Sequence, residues 1–96
     1  MFDIEDEELV FIKETIEKFC PNSRIWVYGS RMKGTNKVCS DLDLVIVSQE
    51  PVNWMVIEEI REIFMGSELP FKVDVLEWSS ISDTFKKIVL MGYVEL

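Results

Sequence analysis

Apolar positions recur along this chain with two different periods. Residues 5–19 carry apolar side chains every three or four positions, between acids and lysines, and residues 54–65 and 83–91 repeat the pattern. This spacing predicts three amphipathic helices. Runs of β-branched and aromatic residues predict three strands, and these runs are residues 24–28, 42–48 and 71–77.

The remaining segments complete an α/β pattern. Residues 30–40 are polar and predict a short helical turn plus a loop, and residues 93–96 predict an extended tail. The resulting order, αβαβαβα, is typical of an α/β fold in which helices flank a three-stranded sheet. The strand at 42–48 is apolar on both faces, as expected of a strand that is covered on each side.

Individual residues refine the predicted helices. Asp3 is placed to cap the first helix and Asn53 the second. In the last helix, Phe85, Ile88 and Val89 are expected to face inward.

Length and composition indicate a globular protein. The chain has 96 residues, and we expect a single domain over residues 1–96. Its hydrophobic content of 48% argues against disorder. No apolar run approaches the ~20 residues that span a bilayer, and the N-terminus is acidic rather than basic and apolar as in a signal peptide. We therefore expect a cytoplasmic protein with no membrane contact.

Charge and residue types exclude several function classes. The net charge of −8 makes nucleic acid a poor direct partner, although Arg31, Lys33 and Lys37 form a local basic cluster that suits a small phosphate ligand. The absence of histidine excludes histidine-based zinc sites, Ser-His-Asp triads and histidine general bases. Cys20 and Cys39 form no CxxC pair, so free thiols are expected.

Two aspartates open the second predicted strand. Asp41 and Asp43 are two positions apart, so their side chains project to the same face of an extended chain. Like charges held this close repel, and each loses hydration, unless a divalent cation neutralises them. The alternative is a turn residue followed by a surface acid. That alternative suits Asp41 better than Asp43, which lies within an apolar run.

A third acid and a glycine-serine turn extend this candidate site. Asp74 lies between two valines, where a carboxylate is costly unless it is paired or bound to metal. The alternatives are a salt bridge with Lys72 or Arg24, or an exposed edge. Gly29-Ser30 ends the first strand, where glycine permits close approach of a ligand. For the dipeptide alone a plain turn is the better explanation, but three carboxylates beside it suit phosphoryl or nucleotidyl transfer.

Together these motifs match a known family. The patterns GSRxxG at residues 29–34, SDLDL at 40–44 and VDV at 73–75 resemble the minimal nucleotidyltransferases of the DNA polymerase β superfamily. Residues 76–92 are similar to its antitoxin branch, often called MntA, which pairs with HEPN-domain (HepT) toxins. The resemblance implies a polymerase β palm-like fold, αβαβαβα, with a mixed three-stranded sheet.

The resemblance also implies a role for each matching residue. Asp41 and Asp43 would bind two Mg²⁺ ions that hold the triphosphate of ATP. Asp74 would ligate the catalytic ion and help deprotonate the acceptor hydroxyl. Gly29-Ser30 would hold the β- and γ-phosphates, and Arg31 would add positive charge there.

The activity implied by this resemblance is transfer of AMP from ATP to a hydroxyl. A chain of this length leaves no room for an acceptor-binding domain, so a partner protein is expected to complete the site. The resemblance names a HEPN toxin, silenced by adenylylation of a tyrosine, in a hetero-oligomeric toxin–antitoxin pair. Two alternatives stay open: an antitoxin that neutralises its partner by binding alone, and an aminoglycoside-like small-molecule transferase.

The three tryptophans bear on the partner interface. Apolar helical faces and tryptophans could serve such an interface, but we expect at least two of Trp26, Trp54 and Trp78 to lie in the core of so small a domain.

Overall fold

The computed structural model describes residues 4–28 and 41–96. Its helices and strands follow the predicted order, with one strand added at the C-terminal end. In chain order they are α1 (Asp6–Phe19), β1 (Arg24–Tyr28), β2 (Leu42–Val47), α2 (Trp54–Met65), β3 (Val73–Glu77), a 3-10 turn (Trp78–Ser80), α3 (Asp83–Leu90) and β4 (Val94–Glu95). The helical turn predicted within residues 30–40 lies outside the described residues.

The described strands form one mixed sheet in the order β3-β2-β1-β4. β1 is antiparallel to both β2 and β4, and β2 is parallel to β3. The prediction of three strands was therefore short by one. The predicted tail pairs with β1, whose second edge is open to it, and the Leu96 N–H donates to the Ile25 carbonyl at 2.9 Å. A two-residue strand shows no measurable alternation, so the sequence pattern could not reveal it.

Element boundaries differ from the predictions by one or two residues at several ends. Helix α1 begins after Glu5 rather than Asp3, because Glu5 and Glu8 form a reciprocal capping box. Strand β3 begins at Val73, two residues later than predicted. Helix α2 has its predicted bounds, with Asn53 as the N-cap accepting from the Met55 N–H.

The sheet separates two hydrophobic clusters. Helices α1 and α2 cover one face, where the buried side chains include Ile12, Ile16 and Ile60. Helix α3 covers the other face, where Val89 packs with Trp26 and Val45. Alternation along each strand sends successive side chains into different clusters.

Helix α3 shows one wrong prediction. Val89 is buried and Phe85 is partly buried against the cluster, but Ile88 is 53% exposed. The helix has eight residues, and one narrow stripe of it meets the sheet.

The burial of the three tryptophans and the free thiol of Cys20 agree with the predictions. Trp26 is buried and Trp78 packs against the same cluster, whereas Trp54 is 72% exposed. Cys20 is a buried free thiol. Cys39 lies outside the described residues. Within residues 4–28 and 41–96, no helix is long and apolar enough to cross a bilayer.

Candidate active site

Three neighbouring strands bring polar side chains together on the α3 face of the sheet. Asp43 on β2 is the register partner of Asp74 on β3 and also of Tyr28 on β1. Adjacent strands lie about 4.8 Å apart, so the three residues form a row across the sheet. Asp43 shares its face with Val45 and Val47, which belong to the α3 cluster. Two of the predicted acids are therefore neighbours in space although α2 separates them in sequence.

Electrostatic coupling extends this row to Asp41. The pKa of the Asp43 carboxyl is raised, first by burial and then by the negative charges of Asp74 and Asp41. Asp41 itself is exposed and precedes β2 directly. The structure thus places the three predicted acids within electrostatic reach, with Asp43 and Asp74 partly buried and Asp41 exposed.

Tyr28 is a residue of this region that the sequence analysis missed. Burial, followed by the charges of Asp43 and Asp74, raises the pKa of Tyr28 to about 12, so its phenol is neutral at physiological pH. Its ring meets the edge of Phe85 at a centroid distance of 5.7 Å. Tyr28 was predicted to lie on a strand, but the sequence does not reveal which strand is the neighbour of which, so nothing indicated its partner.

Within residues 4–28 and 41–96, the three acids form no ion pair. None of the ion pairs that join described residues includes Asp74. Arg24, one of the alternatives considered for it, instead lies 3.9 Å from Glu95. Repulsion among the acids is therefore not relieved by an ion pair within residues 4–28 and 41–96.

The carboxylates of this region are suitable ligands for a metal ion. They do not by themselves form a complete set of protein ligands around one. Within the ranges described, no group of three or more His, Cys, Asp or Glu side chains is arranged to hold an ion. Mg²⁺ in nucleotide sites is bound by one or two carboxylates plus waters and substrate phosphates, so it does not require such a cage. The neighbours Asp43 and Asp74 fit this donor set, with Asp41 beside them.

The remaining predicted site residues precede these acids in the chain. Gly29, Ser30 and Arg31 lie outside the described residues. In sequence they follow Tyr28, the register partner of Asp43.

Comparison with known proteins identifies the family. A model described as "Nucleotidyltransferase domain" matches residues 11–96. The chain belongs to this family. A curated relative from Haemophilus influenzae, named "Probable protein adenylyltransferase MntA", is 40% identical over 92 residues, which cover 96% of this chain and 81% of the relative. The family resemblance stated from the motifs is confirmed, and so is the enzyme class, a nucleotidyltransferase.

Solved structures share the fold of this nucleotidyltransferase domain. A crystal structure of a toxin–antitoxin with AMP-PNP has a TM-score of 0.75 at 21% identity, covering 88% of this chain and 68% of that one. A tri-AMPylated HEPN toxin in complex with MNT antitoxin, from Shewanella oneidensis, has a TM-score of 0.69 at 17% identity, covering 90% and 66%. Identities this low establish the fold alone, and the predicted α/β class is confirmed.

Proposed function

We propose that this protein is a magnesium-dependent protein adenylyltransferase that acts as the antitoxin of a toxin–antitoxin pair. The observation that carries the proposal is the register pairing of Asp43 with Asp74 on a partly buried face, with Asp41 close enough to raise the Asp43 pKa. Such repulsion opposes folding, and groups kept in a costly state are typical of functional sites. The 40% identical relative, named a probable protein adenylyltransferase, supports the same activity.

The three acids have two roles in the proposed reaction, metal binding and proton transfer. The acceptor hydroxyl oxygen forms a bond to the α-phosphorus of ATP, the bond from that phosphorus to the bridging oxygen breaks, and pyrophosphate leaves. Asp74 takes the hydroxyl proton. Asp41, Asp43 and Asp74 would hold Mg²⁺, which would neutralise phosphate charge and align the attacking and leaving oxygens.

The residues that follow β1 complete the nucleotide site in this proposal. Gly29-Ser30 would hold the β- and γ-phosphates through backbone and hydroxyl donors, and Arg31 would add positive charge. Their place in the chain, directly after Tyr28, supports this role, because Tyr28 is the register partner of Asp43.

The proposed acceptor is a tyrosine of a HEPN toxin. Two observations support a protein partner: the relative is named a protein adenylyltransferase, and a structure of the same fold is a complex of MNT antitoxin with an AMPylated HEPN toxin. We further propose one catalytic domain across residues 1–96, and a cytoplasmic location.

A second candidate function is an antitoxin that neutralises its partner by binding alone. The observation that favours it is that a structure of the same fold is a complex of antitoxin with toxin, so the two proteins bind each other there. In that case the acids would be a remnant and no transfer would occur.

One experiment separates the two functions. The protein is incubated with ATP, Mg²⁺ and the product of its neighbouring gene, the candidate partner, and intact masses are measured. Adenylyl transfer predicts a mass increase of one or more AMP units on the partner, lost on chelation of Mg²⁺. Complex formation without a mass change would favour the binding module.

Replacement of Asp43 tests the site. Asp43→Asn removes one charge with little change of shape, and we expect it to abolish the mass increase while the circular dichroism spectrum stays that of the wild type. Asp83→Asn, at a side chain that is 97% exposed on α3, is the matched control and should transfer at the wild-type rate. Wild-type transfer by Asp43→Asn would show that the site lies elsewhere.

A further inference from the structure

The strand that carries Asp74 lies at an edge of the sheet. Among the described strands β3 pairs with β2 alone. In such a strand, backbone groups of alternate residues face away from the neighbour and need partners outside the sheet. The Lys72 carbonyl accepts from the Leu42 N–H at 2.8 Å, so it faces β2. By alternation the Val75 carbonyl faces outward, one residue after Asp74.

Arg61 of helix α2 binds this outward carbonyl with two donors. Its Nε and Nη2 atoms donate to the Val75 oxygen at 2.9 and 2.6 Å. Its remaining nitrogen, Nη1, donates to Glu58 Oε1 at 2.7 Å within the same helix, and neither bond to Val75 uses that atom. The side chain is 34% exposed, so it lies partly under the surface. The planar fork of arginine makes this paired contact possible, whereas lysine has a single nitrogen to offer.

Helix α2, which carries Arg61, is packed firmly against the hydrophobic core. Helix α2 is anchored in the core by Ile57, Ile60 and Phe64, which are at most 5% exposed. Arg61 therefore ties the outer side of β3 to a fixed helix, while the β2 ladder holds the inner side. The tie is made next to Asp74, in the middle of a five-residue strand.

We propose that Arg61 is a positioning residue, which holds β3 so that Asp74 stays in register with Asp43 for adenylyl transfer; this inference rests on the proposed function. Arg61 touches neither nucleotide nor acceptor in this role. Its effect reaches the reaction through the Val75 backbone and the carboxylate beside it. A misplacement of about 1 Å at a reacting group can cost on the order of 100-fold in rate.

The test uses Arg61→Lys and Arg61→Met, with Glu58→Gln as the matched control. Lysine keeps the positive charge but loses the planar pair of N–H donors. Methionine keeps the apolar part of the side chain but loses both the charge and the donors. The control removes the ion pair with Glu58 but leaves both bonds to Val75. We expect kcat for transfer to the partner to fall about tenfold or more in both Arg61 variants. The KM for ATP should stay within twofold, and the control should keep the wild-type kcat.

A second readout does not depend on activity. Hydrogen exchange of the backbone amides at residues 73–77 should be faster in both Arg61 variants and unchanged in Glu58→Gln. All assays are run at a temperature where circular dichroism shows each variant folded.

Several outcomes would overturn the positioning role of Arg61. Wild-type kcat in Arg61→Lys, or a rise in KM for ATP without a fall in kcat, overturns it, and so does failure of both Arg61 variants to fold, which would make the role purely structural. If the wild type itself transfers nothing, the proposed function fails first and this inference with it.

Discussion

At the scale of single residues, the role proposed for Asp43 opposes the stability of the folded protein. This side chain is partly buried, and it faces Asp74 across the ladder. Burial and two neighbouring negative charges raise its pKa, and no ion pair within the described residues relieves them. Positions that work against folding in this way are expected where function requires them.

Removing this charge should stabilise the free protein. Because the folded-state pKa of Asp43 lies above its usual value of 3.8, its protonated form favours folding below that pH, and this advantage is lost as the pH rises through the folded-state pKa. We expect Asp43→Asn to raise Tm at pH 7 by about 2–5 °C, from the cost of like charges opposite each other in a ladder. Thermal unfolding measured by circular dichroism checks this.

The pH dependence gives the control for this experiment. The difference in Tm between Asp43→Asn and the wild type should vanish as the pH falls well below 3.8, where the carboxyl is protonated in both the folded and the unfolded state. The exposed Asp83→Asn should show no comparable gain at pH 7. An unchanged or lowered Tm in Asp43→Asn at pH 7 would mean that the acids do not repel.

Bound Mg²⁺ should make the wild type more stable than Asp43→Asn, the reverse of the order expected for the free proteins. A ligand that binds only the folded state raises stability in proportion to the logarithm of its concentration over Kd. We expect Mg²⁺ with a non-hydrolysable ATP analogue to raise the Tm of the wild type by several degrees, and that of Asp43→Asn by less. Equal shifts in both proteins would remove Asp43 from the ligand set.

The residue scale also shows what the sequence could reveal about the site. Asp41 and Asp43 were identifiable from their spacing on an apolar strand, and Asp74 from its place between two valines. Tyr28 was not identifiable, because its proximity to the acids depends on the antiparallel register of β1 with β2. Alternation within one strand cannot supply that register.

At the scale of elements, a buried carboxylate fixes the turn that follows β3. Glu77 is 5% exposed and accepts from the Ser79 N–H at 3.1 Å and from the Ser80 hydroxyl at 2.9 Å. Burial alone would raise its pKa, but hydrogen bonds from Ser79, Ser80 and the Val52 backbone outweigh it, and the pKa is lowered. The network joins the end of β3 to the segment that precedes α2.

Substitution of Glu77 should cost stability in a pH-dependent way. We expect Glu77→Gln to lower the free energy of unfolding by about 2 kcal/mol at pH 7, since bonds to a charged acceptor are lost and donors are left short of partners. The loss should shrink as the pH falls through the folded-state pKa, which lies below 4.5, because the wild type then loses the same charge.

Urea unfolding at pH 7 and pH 3 measures this effect. The exposed Glu62→Gln on α2 is the control and should stay within about 0.5 kcal/mol of the wild type at both pH values. A Glu77→Gln protein as stable as the wild type at pH 7 would show that the network contributes no stability.

Elements were predictable where a long periodic pattern or a capping residue existed. Helix α2 has the predicted bounds because Asn53 and Gly66 delimit it and its apolar positions recur over three turns. Strand β4 was not predictable, since two residues carry no period. Ile88 was placed wrongly because helical spacing cannot tell how wide a stripe the sheet will cover.

At the scale of the whole molecule, the C-terminal strand completes an aromatic stack. Trp26 meets the edge of Trp78 at 5.3 Å and stacks on Tyr93 at 4.2 Å between centroids. Its indole N–H donates to Glu95 at 2.9 Å. The α3 face therefore depends on β1 and on residues near the C-terminal end of the chain.

Two aromatic substitutions should separate the effect of a stacked ring from that of a largely exposed ring. Tyr93→Ala removes a stacked ring and should cost about 1–2 kcal/mol of unfolding free energy, with a change in Trp26 fluorescence. Trp54→Ala removes a ring that is 72% exposed and should change stability by at most about 0.5 kcal/mol. Urea unfolding followed by far-ultraviolet circular dichroism compares both. A large loss of unfolding free energy in Trp54→Ala would contradict the expectation that this exposed ring adds little stability.

The parallel pairing of β2 with β3 has a consequence for biosynthesis. Asp43 gains its neighbour Asp74 only after the intervening α2 has been made, and a ribosome delivers residues in order, about 5–20 each second. A nascent or prematurely terminated polypeptide that ends within α2 carries one member of the pair without the other. Under the proposed function, such an incomplete product would lack an acid that the transfer needs, and the site would be complete only after translation of β3.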